Sequence, residues 1–77
     1  MIFYHHGAAI QPSAVRQGNL FLARVCILEE DGAATSLGDL GTFANRVSAF
    51  DFAIRYASAF VDGDPLPRSP YRQMSDE

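Results

Sequence analysis

A chain of 77 residues that is 48% apolar, with six Phe and three Tyr, has enough apolar surface to fold as one small domain, which excludes intrinsic disorder as its ground state. Its formal charge is -3, with nine carboxylates against six scattered arginines and no lysine, which disfavours a dedicated binder of nucleic acid or anionic membrane. A single cysteine, Cys26, rules out an intramolecular disulfide and a cysteine-rich zinc site.

The amino-terminal stretch lacks the basic and apolar regions of a signal peptide, and no apolar run approaches the roughly 18 residues of a membrane span. The expected location is therefore the cytoplasm, with no membrane partner. The Ala-rich, lysine-free composition fits a GC-rich bacterial genome.

In chain order, Ile2 to Ile10 reads as a first strand that ends in Gln11-Pro12-Ser13, with Gly7 marking a bulge or a close backbone approach in its middle. Gln17-Gly18-Asn19 supplies residues that tolerate positive φ and predicts a hairpin connection. Leu20 to Glu29 is rich in aliphatic and β-branched types without Gly or Pro, which predicts the central strand. Period-two alternation places Phe21, Ala23, Val25 and Ile27 on one face and Leu20, Leu22, Arg24, Cys26 and Leu28 on the other.

Asp31-Gly32 predicts the next turn, Ala33 to Leu37 a third strand, and Gly38-Asp39-Leu40-Gly41 a loop. Asn45 is a helix N-cap with the helix starting near Arg46, and Gly63 followed by Pro65 stops it. Between them Val47, Phe50, Ala53, Ile54, Ala57, Phe60 and Val61 recur at spacings of three and four, predicting one buried stripe. The expected architecture is α+β, a three-stranded antiparallel sheet packed on one C-terminal amphipathic helix in the order β-β-β-α. Residues 1-64 form the domain, and 65-77, with two prolines beyond Leu66, read as a flexible tail.

This order of elements, with Gly7-Ala8-Ala9-Ile10-Gln11-Pro12 early, Asp39-Leu40-Gly41-Thr42-Phe43 before the helix and Val61-Asp62-Gly63 closing it, resembles a group of short uncharacterised proteins of Burkholderia-type proteobacteria. The resemblance covers most of residues 4-64, with Phe21 at a position where that group commonly has tryptophan. It implies the fold and assigns no catalytic residue.

Each candidate for chemistry has a plainer explanation. Adjacent residues on a strand point to opposite faces, so His5 and His6 are not expected to chelate one ion, and no Asp, Glu or Cys stands at a ligand spacing. No metal or other cofactor is expected. Cys26 in mid-strand reads as a small apolar residue. Gly38-Asp39-Leu40-Gly41 matches the GxxG loop of KH domains, but Asp39 would repel phosphate, and a turn accounts for it. Glu29-Glu30-Asp31 and Asp62-Gly63-Asp64 read as a hairpin turn and a helix cap, since neither has calcium-loop spacing. Pro67-Arg68-Ser69-Pro70 has the composition of a docking peptide and equally of a solvated end.

One helix covers one face of a sheet, which leaves Leu20, Leu22, Arg24, Cys26 and Leu28 opposite it. Something should cover them: Ile2, Phe3, Leu66 and Tyr71 folding back, a second copy of the chain, or another protein. The expected function is a non-enzymatic protein-protein interaction or self-associating domain, with a homodimer as its simplest form. The alternative is a nucleic-acid-associated accessory protein in which aromatic rings stack on bases while Arg24, Arg68 and Arg72 meet phosphates.

Overall fold

The computed structural model describes residues 2-68. Four strands, β1 (Phe3–His5), β2 (Ala8–Gln17), β3 (Leu20–Leu28) and β4 (Ala34–Phe43), precede one helix, α1 (Arg46–Asp62). All neighbours pair antiparallel in the order β1-β2-β3-β4, a meander with β2 and β3 at its centre. The fold is α+β with one C-terminal helix, as expected, but the sheet has four strands where three were expected.

The extra strand comes from a turn at His6-Gly7. Both residues have positive φ, 49° and 87°, and they form a two-residue loop between the paired residues His5 and Ala8. This is the φ signature of the type I′ hairpin, whose twist matches that of the strands it joins. Gly7 thus closes a hairpin and is not a bulge, and the expected first strand is split in two.

Strand β2 then runs through Pro12 instead of ending there. In a two-residue hairpin, alternate pairs counted from Gln17↔Leu20 exchange hydrogen bonds, which places Pro12↔Val25 among the pairs that do not. The missing N–H would point to the outer side, where β1 pairs with β2 only as far as Ile10. Pro12 therefore breaks no ladder bond.

The expected loop at Gly38 to Gly41 is also part of a strand. β4 continues to Phe43, and two register shifts against β3, around Arg24, absorb its extra residues. Gly38, at φ 78°, supplies the left-handed residue that such bulges use.

The helix ends follow the sequence closely. Asn45 Oδ1 accepts from the Ser48 amide at 2.8 Å. At the other end Gly63 sits at φ 75°, its N–H donating to Phe60 O at 3.3 Å while Asp64 N–H donates to Ala59 O at 2.9 Å. That pair of bonds is the Schellman motif.

The helix buries a stripe that shares Ala53, Ala57 and Val61 with the expected one but is rotated away from Val47 and Phe60 toward Ala49 and Phe52. Ala49, Phe52, Ala53 and Ala57 are buried, Tyr56 and Val61 pack beside them, and Val47 is 70% exposed. Alanines at spacings of four let the helix approach the sheet closely, and Phe52 fills the remaining space against Phe43, with ring centroids 5.0 Å apart. From the sheet, Ile10, Ala23, Val25 and Ile27 complete the core, so the helix-facing set of β3 is as expected. Arg46 fixes the start of the helix: its guanidinium lies 5.0 Å from the Phe21 ring centroid and donates to Ala14 O at 3.2 Å.

Candidate functional site

Two regions stand apart from the core: the sheet face away from α1, and the corner where the first hairpin meets the end of the helix. On the sheet face lie Leu20, Leu22, Arg24, Cys26 and Leu28 of β3, with Gln11, Ser13 and Val15 of β2 beside them and Ser36, Asp39 and Thr42 of β4 on the other flank. Leu22 is buried to 4% exposure yet belongs to no part of the helix-facing core, while its neighbours Val15 and Leu20 are each 39% exposed. Arg24 Nε donates to Asp39 Oδ1 at 2.8 Å, a surface pair that contributes at most about 1 kcal/mol.

The residues expected to fold back over this face do not bury themselves there. Ile2, Phe3 and Leu66 are all exposed, and Phe3 pairs with Ile10 on the helix-facing side. Pro67 and Arg68 line a cleft with Phe43, Ser48 and Arg55, which sets the chain beside the helix. Tyr71, Arg72 and most of the expected tail lie outside the described residues.

Cys26 is half-buried, with Gln11 and Ser36 as its register partners. Neither is a general base, so no nucleophile is assembled there. Arg24 and Arg46 are both engaged, and among the described residues Tyr4 is the one aromatic side chain on the open face. The Gly38-to-Gly41 segment is a bulged strand and not a loop between two helices, which removes its likeness to a KH loop.

At the hairpin corner the outcome differs from the expectation. His5 is a strand residue on the helix-facing side, but His6 occupies the turn, so the alternation that would separate their rings does not apply. The two rings lie 4.1 Å apart between centroids. Asp62, the last helical residue, meets both: His5 Nε2 is 3.0 Å from each carboxylate oxygen and His6 Nδ1 is 2.7 Å from Oδ1. The ligand partner expected to be missing therefore arrives from the far end of the domain.

Asp62 has a role beyond closing the helix. A carboxylate at a helix C-terminus faces the negative end of the macrodipole, and the last turn of α1 contains no basic residue to offset it. The offset comes from the histidines: hydrogen bonding from His5, then from His6, holds the Asp62 carboxyl below its ordinary value of 3.8. Beside this trio opens a cleft of about 580 Å³, lined by His6, Ala8, Ile27 and Val61 and by the acidic residues Glu29, Glu30 and Asp31. The Glu30 side chain leans toward the turn, its Oε2 3.6 Å from where a Cβ on Gly7 would stand.

Compared with protein-family models, with curated proteins and with solved structures, the chain finds no match. Function therefore has to be argued from these two regions. Among the described residues no helix is long and apolar enough to cross a membrane.

Proposed function

We propose that this domain is a non-enzymatic interaction module that self-associates through the sheet face opposite α1. The observation that carries this is the pair of half-exposed apolar side chains, Val15 and Leu20, that flank Leu22 on the sheet face opposite α1. Large apolar side chains that adjoin on an open sheet face mark a contact surface more often than an idle one.

A second copy is the occupant best supported. Arg24 and Asp39 stand side by side on that face and both remain half-exposed, so it carries each sign of charge at neighbouring points. Under a two-fold axis such a patch is its own complement, Arg24 of one copy meeting Asp39 of the other.

The test is solution mass by light scattering over a hundredfold range of concentration, for the wild type and for Leu20→Glu. A wild-type dimer that Leu20→Glu converts to a monomer with unchanged far-ultraviolet circular dichroism supports self-association. A wild type that stays monomeric throughout overturns it. Nucleic-acid binding draws little support from a face with one exposed aromatic and a paired arginine; a shift of amide resonances by a short single-stranded oligonucleotide at low salt would revive it.

A further inference from the structure

We propose that His5, His6 and Asp62 form a binding site for a divalent transition-metal ion of the zinc class, independent of any self-association through the sheet. The ligand atoms of the three side chains all lie within 4.8 Å of one another. Tetrahedral ligands with metal bonds of about 2.0–2.1 Å stand about 3.3 Å apart, so the trio closes on an ion through small side-chain adjustments. Two imidazoles and one carboxylate suit Zn²⁺, Co²⁺ or Ni²⁺, whereas Ca²⁺ and Mg²⁺ call for oxygen ligands throughout.

Two backbone features converge on this corner. Among the described residues His6 is the one non-glycine with positive φ. Histidine, like Asn and Asp, enters the left-handed region more readily than other side chains, and at the first position of this turn that conformation sets its ring beside that of His5. Asp62 sits at the end of the helix where a carboxylate is disfavoured, and the Schellman turn at Gly63 fixes its backbone. Side chains that meet at one point from opposite ends of the chain, each placed by a defined turn, are what a ligand set requires.

Three protein ligands leave at least one coordination position, as in zinc sites that hold a water or an exogenous ligand. The site borders the cleft containing Glu29, Glu30 and Asp31, whose field raises the local concentration of cations. Metal-free, the same three side chains form a hydrogen-bonded clip between hairpin and helix; on binding, the ion takes the place of the proton on each contacting nitrogen, each ring stays neutral with its proton on the other nitrogen, and any second proton leaves to solvent.

The experiment is calorimetric titration of the tag-free chain with Zn²⁺, paired with the visible spectrum of the Co²⁺ form. The expected result is one saturable equivalent, intense Co²⁺ absorption of a four-coordinate site, and loss of affinity by tenfold or more in His6→Asn and Asp62→Asn. His6→Asn is the decisive variant, because asparagine is preferred at that turn position and the hairpin should fold at least as well. Absence of saturable binding by the wild type overturns the proposal, and so does His6→Asn retaining wild-type affinity. A folded Asp62→Asn that binds as tightly as the wild type overturns it as well.

Discussion

Nε2 of His5 lies 3.0 Å from both carboxylate oxygens of Asp62, although the two residues are 57 positions apart. This contact ties the first hairpin to the last helical residue, and β1 depends on it because so short an edge strand has few other ties. The folded-state pKa of Asp62 is depressed, so its stabilising effect is present above about 3.8 and is lost as pH falls through the lower folded value. Melting temperatures of wild type and Asp62→Asn should therefore differ near neutral pH, the variant being lower. The gap should close in acid once the wild-type carboxyl is protonated. An equal gap at both ends of the pH series would show that the carboxylate charge is immaterial.

Gly63→Ala is expected to cost about 1 kcal/mol or somewhat more, since a Cβ at φ 75° is strained although it would meet nothing within 4 Å. Asn45→Ala, which removes the acceptor for Ser48 N–H, should cost about 1 kcal/mol at the other end of the helix. The ends are too far apart to share partners, so the double variant should lose the sum of the two. Denaturant unfolding of the three variants checks both magnitudes and their additivity.

Much of the fold was legible because it is local chemistry. Asn45, Gly63, Gly18-Asn19 and Asp31-Gly32 each act within a few residues of themselves, and the alternation along Leu20 to Leu28 sorted the two faces of β3 correctly. What went unread depends on context. Gly7 and Gly38 look alike as breaks, yet one closes a hairpin and the other lies within a bulged strand. Of the His5, His6 and Asp62 cluster only the histidine pair is local; Asp62 meets it only after the sheet has placed the helix across it.

The helix gives the clearest case of competing signals, and a direct test. Weighted by hydrophobicity, Val47, Phe50 and Ile54 outrank Ala49, but close packing on a sheet selects the face on which Ala49 continues the row of small side chains through Ala53 and Ala57. Val47→Ala should thus change stability by less than about 0.5 kcal/mol. Phe52→Ala should cost about 3–5 kcal/mol by emptying the space between Phe43 and Tyr56. Equilibrium unfolding in urea distinguishes this ordering from the reverse, which the stripe through Val47 would require.

Leu20 and Leu22 share the open face of β3 but should respond differently to a charge. Leu22 is 4% exposed, so Leu22→Glu buries a carboxylate with no partner and should destabilise the fold by several kcal/mol, whatever the oligomeric state. Leu20 is 39% exposed at the hairpin end, where a glutamate can reach water, so Leu20→Glu should leave the monomer's stability within about 1 kcal/mol. Any effect of Leu20→Glu on mass is then an effect on association. The comparison needs melting curves of both variants at a concentration low enough to keep the wild type monomeric. If Leu22→Glu melts with the wild type there, Leu22 is not structurally sheltered by Val15 and Leu20, and the open face is a bare surface throughout.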